Sequence, residues 1–240
     1  MNDECAGALE IEARPFGSTV VRGSAPRATL SYEACDLSGR DVFYRFELAE
    51  RSIVSLYADG GLDVYAAFLE SCGEPLARCT TDCLVEGGTL EWHHVEVLDP
   101  GVHYVIVGDF EETEDYVVRL GVLPIGDTPA APLPPGSATL TGTLGGNARG
   151  TCGAGARHAY YFAHCTPIDV GIYAASCGAT STVLELYTDV FTVPLCGAPG
   201  SSCAGDDLAE TIPGSTSFGV LFVEGVDADA SGDFTLMVSR

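Results

Sequence analysis

The sequence predicts an all-β protein with two tandem antiparallel β-sandwich domains of jelly-roll type, stabilised by disulfides and joined by a proline-rich linker. Short apolar segments recur between turn residues, no long segment has a helical period, and the two halves of the chain share motifs. Regularly spaced short strands of this kind are typical of antiparallel sandwiches. We place the first domain at 2–123, the linker at 124–136 and the second domain at 137–240.

The predicted strands are short segments rich in β-branched and aromatic residues, several of them with apolar alternation. They are separated by Gly, Pro, Asp or Ser, which favour turns. In the first half they are 41–48, 52–58, 62–69, 91–98, 103–110 and 115–122. In the second half they are 159–164, 168–174, 182–187, 218–225 and 233–239.

The segment between the two halves, 124–136, reads PIGDTPAAPLPPG and contains five prolines. Proline lacks the N–H group that a central strand needs and favours extended polyproline geometry. This composition predicts a semi-rigid spacer between the domains.

The two halves of the chain look like copies of each other. Residues 72–82 and 196–206 both match C-G-x-P-x-x-x-C-x-x-D without a gap. At a constant offset, core-like positions of the first half such as Tyr44 fall opposite similar positions of the second half such as Tyr160. We interpret these matches as a tandem duplication.

The charge of the chain excludes two classes of partner. There are 34 acidic residues against 11 basic ones, all of them Arg, which gives a formal net charge of −23. A field this negative repels nucleic-acid phosphates and anionic membrane surfaces. Because no stretch approaches the roughly 20 apolar residues of a membrane span, we also expect no membrane insertion. The same charge attracts divalent cations, although a well-solvated surface would equally explain it.

Ten cysteines are many for a protein of a reducing compartment. An even number with short spacings favours disulfides and an extracellular or cell-surface location. The opening MNDECAGALE lacks the basic and apolar regions of a signal peptide, so we expect that Met1 replaces one that has been removed.

The shared C-x₆-C spacing favours the disulfides Cys72–Cys79 and Cys196–Cys203. If 157–164 and 168–175 form a hairpin, the residues just outside it meet at its open end, within the distance that a disulfide requires. This arrangement would pair Cys152 with Cys177 and leave Cys5–Cys35 as the fourth disulfide. The remaining cysteines, one in each half, are Cys83 and Cys165. Either they join the two domains, or both are free, or the pairing above is wrong.

Several motifs of the first half occur in one order. They are the ND-x-C-x-x-A opening at 2–8, DVFYRF at 41–46, the cysteine loop at 72–82, DPG-x-x-YVIV at 99–107 and DYVVRL at 115–120. This order resembles the bacterial pre-peptidase C-terminal domain and its relatives in large secreted proteins of the myxobacterial type. The resemblance covers 2–123, and more loosely 137–240, which lacks the opening motif.

The resemblance implies a compact, non-catalytic β-sandwich that is appended to secreted hydrolases or surface proteins. Some such domains bind collagen or polysaccharide, and some hold calcium near the start of the domain. The positions that match the calcium ligands are Asn2, Asp3 and Asp41. The second half has Arg157 near the position of Asp41, which argues against a calcium site there.

Acidic turns are the other candidate metal sites. Closely spaced loop carboxylates can supply the six to eight oxygens that calcium prefers. The candidates are Asp82 and its counterpart Asp206, Asp207 beside it, and Asp227, Asp229 and Asp233 in the loop VDADASGD. A zinc site built from Cys72, Cys79, Cys83 and His93 or His94 is disfavoured, because only Cys79 and Cys83 have the spacing of a zinc knuckle.

The sequence contains no catalytic signature such as H-E-x-x-H, G-x-S-x-G or a phosphate loop with its lysine. The glycine-rich segment 142–156 precedes no helical segment, so we expect a mobile loop there rather than a phosphate cradle. Trp92 is the only tryptophan, and alternation places it on the strand face of His94 and Glu96. An exposed aromatic on a sheet face would stack on sugar rings, whereas the simpler interpretation is that Trp92 covers an edge or packs against the other domain.

We therefore expect a secreted or cell-surface, non-catalytic module that recognises polysaccharide or protein, assisted by calcium. The alternative is a structural subunit of an extracellular fibre or matrix that self-associates. A third class, an enzyme whose site forms only in three dimensions, has no support in any sequence motif.

Overall fold

The computed structural model divides the chain into two compact units, Met1–Leu123 and Pro124–Arg240. Most of the described residues lie in β-strands, and the only helical element among them is a 3₁₀ turn at Cys5–Gly7. The all-β sandwich fold class is confirmed. None of the helical structure in the described parts of the chain is long or apolar enough to cross a membrane. The described residues are 5–24, 40–59, 64–72, 74–75, 92–109, 115–147, 150–163, 170–178, 181–188, 194–197, 199, 208–212 and 218–240.

The described residues of the first unit form nine strands in two sheets. Sheet A1 has the order β1-β3-β8-β5-β6, and sheet B1 has the order β2-β9-β4-β7. The strand β1 runs parallel to β3, whereas β3 and β5 run antiparallel to β8. The strands are β1 (Leu9–Glu10), β2 (Gly17–Ser24), β3 (Arg40–Leu48), β4 (Ser52–Asp59), β5 (Val64–Ser71), β6 (Glu74–Pro75), β7 (Trp92–Leu98), β8 (Gly101–Asp109) and β9 (Asp115–Pro124).

The second unit repeats this arrangement. Sheet A2 has the order β10-β12-β17-β14-β15, and sheet B2 has the order β11-β18-β13-β16. Each strand of the second unit takes the place of the strand nine positions earlier, including the parallel edge strand β10. The strands are β10 (Ala130–Pro132), β11 (Ala138–Leu144), β12 (Arg157–Ala163), β13 (Val170–Gly178), β14 (Thr182–Thr188), β15 (Leu195–Cys196), β16 (Leu208–Ile212), β17 (Phe218–Gly225) and β18 (Gly232–Ser239). This identity of topology is what a tandem duplication would produce.

Alternating side chains build one core in each unit, because successive residues of a strand point to opposite faces. In β3 the core residues are Val42, Tyr44 and Phe46, and in β12 they are Tyr160 and Phe162. The other main contributors to the first core are Val54, Leu56, Phe68, Leu98, Val105, Val107, Val118 and Leu120. The second core contains Ile172, Leu184, Leu186, Leu221, Val223, Phe234, Leu236 and Val238.

Both cores contain an aromatic pair that lies over a glycine of the edge strand. In the first unit the hydroxyl groups of Tyr44 and Tyr116 are 2.7 Å apart, and the ring of Tyr116 occupies the space of a side chain at its cross-strand partner Gly23. In the second unit Phe234 lies in the same way over Gly142. A glycine is required at both edge positions because any Cβ there would overlap with the ring.

The proline-rich segment 124–136 is not a spacer: it belongs to the second unit. Ala130–Pro132 forms the edge strand β10, parallel to β12, and Leu133 is part of the core of that unit. The Arg240 guanidinium donates to the carbonyl oxygens of Leu133 and Pro134. The prediction failed because an edge strand needs hydrogen bonds on one side only, so it tolerates proline. The second unit therefore starts at Pro124 rather than at residue 137.

The expected hairpin of 157–164 and 168–175 does not form either. The strand β12 pairs with β10 and β17 in sheet A2, whereas β13 pairs with β16 and β18 in sheet B2. The connection between β12 and β13 therefore crosses from one sheet to the other.

Candidate functional site

Three charged side chains lie on the outer face of sheet A2, where alternation places residues that would ordinarily face solvent. They are Arg157 on β12, Glu224 on β17 and Glu185 on β14. Arg157 and Glu224 are direct cross-strand partners. The exposed fraction is 2% for Arg157 and 0% for both glutamates. Another part of the chain must therefore cover these side chains and exclude water from them.

That covering element is the glycine-rich segment between β11 and β12. Glu224 accepts hydrogen bonds from the N–H groups of Gly150 at 2.6 Å and Gly153 at 2.8 Å. Glu185 accepts one from the N–H of Thr151 at 3.0 Å. A Cβ at Gly150 would overlap with carboxylate oxygens of both glutamates, so only glycine allows the backbone to approach this closely. The expected mobile loop is therefore a cover that is fixed to the sheet.

Arg157 supplies the only positive charge among the described residues of this cluster. Its Nη1 donates to Glu185 Oε2 at 3.5 Å, and its guanidinium lies 3.6 Å from the centre of the Phe222 ring. A cation held over an aromatic face in a dry site is a favourable contact. Burial lowers the pKa of Arg157, and the charges of Glu185 and Glu224 oppose that change.

The two carboxylates and one guanidinium leave the cluster with one excess negative charge when all three groups are ionised. Burial raises the pKa of Glu224, and the charge of Glu185 raises it further, while the N–H groups of Gly150 and Gly153 and the charge of Arg157 lower it. The ionised form of Glu224 is thus disfavoured in the fold. All four carboxylate oxygens accept hydrogen bonds from the protein, so the carboxylates fix the loop to the sheet. Arg157 Nε is buried without a hydrogen-bond partner among the described residues.

The first unit has an apolar cluster on the equivalent face of sheet A1. By strand register, Asp41, Ala67 and Gly108 take the positions of Arg157, Glu185 and Glu224. Phe43, Leu69 and Ile106 form a small cluster there, against which Cys5 and Ala8 of the N-terminal turn pack. Asp41, a predicted calcium ligand, is fully buried, whereas Asn2 and Asp3 lie outside the described residues.

In the described part of the first unit, a disulfide joins Cys5 to Cys72, with a Cα–Cα distance of 5.4 Å. The predicted pairs Cys5–Cys35 and Cys72–Cys79 are wrong. The turn at Cys5–Gly7 packs on the outer face of sheet A1, near the end of β5. Cys5 and Cys72 therefore meet, although they are 67 positions apart in sequence. Only the sheet order brings these two positions together. The cysteines at positions 35, 79 and 83 lie outside the described residues.

The second unit contains the disulfide Cys152–Cys196, so the predicted pairs Cys152–Cys177 and Cys196–Cys203 are also wrong. Cys196 on β15 is the cross-strand partner of Glu185, to which the neighbour of Cys152, Thr151, donates its N–H. The disulfide therefore fixes the covering loop at the place where it meets the buried carboxylates. Cys177 is also disulfide-bonded, and the cysteines at positions 165 and 203 lie outside the described residues.

The acidic-turn candidates are partly described. Asp227 and Asp229 are exposed in the turn between β17 and β18, and Asp233 accepts a hydrogen bond from Thr143 Oγ1 at 2.7 Å. Within the described ranges, no group of three or more His, Cys, Asp or Glu side chains lies close enough together to hold a metal ion. The candidates Asp82, Asp206 and Asp207 lie outside those ranges.

Trp92 begins β7, but its side chain lies outside the described part of the structure. Further along the same strand, His94 contacts the core residue Phe68, with 5.2 Å between ring centres, and hydrogen-bonds Glu96 at 3.1 Å. Stacking of a sugar on Trp92 stays a prediction.

Sequence reasoning missed the cluster of Arg157, Glu185 and Glu224. A signal was present, because a single glutamate interrupts each of two otherwise apolar strands, TVLELY and FGVLFVEG. Interrupted apolar strands of this kind mark positions where a buried charge needs partners.

Comparisons with known proteins find no matching family model and no matching curated protein. Among solved structures, the chain is similar to the pre-peptidase C-terminal domain of a collagenase from Bacillus anthracis, with 16% identity, a TM-score of 0.31 and coverage of 48% of this chain and 93% of that one. A protein of Sulfolobus Turreted Icosahedral Virus matches with 12% identity and a TM-score of 0.25, over 85% of this chain and 57% of that one. The CUB1-EGF-CUB2 domains of rat MASP-1 match with 11% identity and a TM-score of 0.25, over 97% of this chain and 100% of that one. The fold assignment rests on the strand order of this chain itself.

Proposed function

We propose that this protein is an extracellular, non-catalytic binding module that recognises polysaccharide or protein through its surface. The observation that carries the proposal is the sealed cluster of Arg157, Glu185 and Glu224. A catalytic acid or base must reach its substrate. Here the carboxylates are fully buried and hydrogen-bonded to a disulfide-fixed loop, so they stabilise the scaffold.

In the described part of the chain, a small concavity favours recognition by an open face. A concavity beside the Glu10–Arg45 ion pair, also lined by Glu47 and Val102, has a volume of about 120 Å³. Pockets for small organic ligands usually measure about 300–1,000 Å³. The disulfides support an oxidising compartment, as expected for a secreted or cell-surface module.

The test is a binding screen of the purified, oxidised full-length chain. Insoluble and soluble polysaccharides, and immobilised extracellular-matrix proteins, are incubated with the chain, and the bound fraction is measured. A panel of chromogenic esters, glycosides and peptides runs in parallel. Saturable binding without turnover supports the proposal, whereas robust hydrolysis, or no binding to any member of either class, would overturn it.

Calcium assistance is part of the proposal. It is supported by the net charge of −23 and by the exposed, closely spaced Asp227 and Asp229, which are free to approach a hydrated cation. The same screen in calcium and in chelator shows whether the ion contributes to binding.

A second candidate function is that of a structural subunit of an extracellular fibre. The strands β2 and β11 lie at sheet edges, and the seven residues of β11, ATLTGTL, include no charged residue. Long uncharged edge strands pair readily with other chains. Electron microscopy and light scattering of the oxidised protein distinguish the two functions: filaments support the fibre, and a monodisperse monomer contradicts it.

A further inference from the structure

An exposed tyrosine lies on the outer face of sheet B2 in the second unit. Tyr173 on β13 is 50% exposed, although it stands in the middle of the sheet between β18 and β16. Its ring extends back along the strand over Gly171, where a Cβ would lie 3.0–3.5 Å from Cε2, Cζ and Oη. The absence of a side chain at Gly171 thus lets the ring lie against the sheet with much of its surface in solvent.

The residues next to Tyr173 present hydroxyl groups in rows across the sheet. Ser239 is the cross-strand partner of Tyr173, and its Oγ lies 3.0 Å from Ser137 Oγ. The next rows along the same face are Thr139, Met237 and Ala175, and then Thr141, Thr235 and Cys177. Thr139 and Thr141 are exposed, whereas Ala175 is only 3% exposed and Cys177 is disulfide-bonded. With strands about 4.8 Å apart, each row spans roughly 10 Å.

This face is almost uncharged in a protein with a net charge of −23. Among the described outward-facing side chains of β11, β18 and β13, Asp233 at one corner is the only charged group, and Thr143 donates a hydrogen bond to it. A flat face with hydroxyl groups and one aromatic ring matches neutral sugars, which offer hydroxyl groups and an apolar ring face. An acidic polysaccharide would be repelled by the rest of the molecule.

The equivalent position of the first unit is covered. Tyr57 on β4 corresponds to Tyr173, and the guanidinium of Arg119 lies 5.6 Å from the centre of its ring. Met237 takes the position of Arg119 in the second unit, and Gly171 takes that of the buried Ser55. At this position, the tyrosine of the first unit is in contact with an arginine, whereas Tyr173 of the second unit is half exposed to solvent.

From these observations we propose that the outer face of sheet B2 binds a neutral polysaccharide, with Tyr173 stacking on a sugar ring and Ser239, Thr139 and Thr141 hydrogen-bonding its hydroxyl groups. This assignment rests on the proposed function and specifies its ligand class and site.

The experiment measures depletion isotherms of the oxidised full-length chain on cellulose, β-1,3-glucan, chitin and starch, with alginate as the acidic polysaccharide. The variants are Tyr173→Ala, which removes the ring, and Met237→Arg, which places a guanidinium beside the ring as Arg119 does in the first unit. Phe16→Ala is the matched control, because Phe16 is a 52% exposed aromatic residue of the first unit. We expect binding to at least one neutral polysaccharide, weakened about tenfold by Tyr173→Ala and by Met237→Arg and unchanged by Phe16→Ala.

The outcomes separate the two proposals. If the wild-type chain binds a neutral polysaccharide and Tyr173→Ala binds equally well, the assigned face is wrong while the binding function stands. If the chain binds only alginate or only proteins, the neutral-polysaccharide assignment is wrong and the wider function again stands. If the chain binds no polysaccharide and no protein, both proposals fail. Circular dichroism of each variant verifies that the fold is retained.

Discussion

Glu224 is one residue through which pH acts on the second unit. Its pKa is raised in the fold, chiefly by burial, so the folded unit holds this proton more tightly than the unfolded chain does. The stabilisation is therefore complete below the ordinary glutamate pKa of 4.5 and is lost as pH rises through the folded value. Below pH 4.5 Glu224 is mostly protonated in both the folded and the unfolded chain, and above its folded pKa it is mostly ionised in both.

We expect Glu224→Gln to reduce this pH dependence, because the amide stays neutral at every pH. The free energy of unfolding of the wild type minus that of the variant should decrease as pH rises from about 4.5 to 8, by at most about 1.4 kcal/mol per pH unit for one proton. Amide hydrogen exchange of β12 and β17 measures the stability of this unit separately. Glu12→Gln removes an exposed carboxylate of the first unit and controls for net charge. Parallel pH curves for wild type and Glu224→Gln would contradict the prediction.

Arg157 is expected to be the most sensitive charged position of the second unit. Arg157→Met removes the cation and leaves two buried carboxylates without it, which destabilises the unit by about 3–5 kcal/mol. The matched control is Arg45→Met, since Arg45 pairs with Glu10 at 3.5 Å on the exposed face of the first unit. The control should cost about 0–1 kcal/mol. Thermal unfolding monitored by circular dichroism measures both, and equal losses would show that the buried ion pair has no special weight.

At this scale the sequence predicts core residues well and buried charges poorly. Alternation is sufficient to place Tyr44, Phe46 and Tyr160 in the cores. The same alternation assigns Glu185 to the solvent side of β14, and it lies on that side, but a loop from between two other strands covers it. The interrupted apolar strand TVLELY marks Glu185 as unusual, but no local pattern identifies the distant loop that covers it.

At the scale of elements, the two edge strands β1 and β10 perform the same task with different sequences. Each begins its unit, runs parallel to the next strand of the A sheet, and leads into a residue that packs in the core, Ile11 in one unit and Leu133 in the other. The proline content of 124–136 predicted a spacer. Composition alone does not show that β10 is an edge strand, which pairs on one side only and therefore tolerates proline. The strands with the strongest apolar patterns, such as β3, β8 and β17, were predicted, whereas β2, β11 and β16 were not among the predicted strands.

We therefore expect the proline-rich segment to be necessary for the second unit. A fragment of residues 124–240 should fold cooperatively, whereas a fragment of residues 137–240 loses β10 and Leu133 and should be less stable by at least about 3 kcal/mol. Urea unfolding followed by circular dichroism compares the two fragments. The same midpoint for both would mean that the segment is a spacer after all.

At the scale of the whole molecule, duplication has preserved topology while the covered faces have diverged. The described parts of both units have nine strands in the same order. The outer face of sheet A1 nevertheless has a small apolar cluster and the buried Asp41, whereas that of sheet A2 contains three buried charges. In both units a disulfide fixes the segment that covers the outer face of the A sheet. The first cysteine of this disulfide is Cys5, before β1, in the first unit and Cys152, before β12, in the second. The shared spacing at 72–82 and 196–206 therefore agrees with the shared strand order but did not indicate which cysteines pair.

The net charge of −23 makes the whole molecule sensitive to cations, and the size of the response separates general screening from calcium binding. Sodium chloride screens self-repulsion, so a rise from about 10 to 150 mM should increase the melting temperature by a few degrees. A specific calcium site adds stability by mass action, so millimolar calcium should increase it further than sodium chloride or magnesium at equal ionic strength. Differential scanning calorimetry measures these shifts, and Asp227→Asn with Asp229→Asn tests whether the described acidic turn contributes. An increase that depends only on ionic strength would contradict calcium binding and leave the acidic surface with a role in solvation alone.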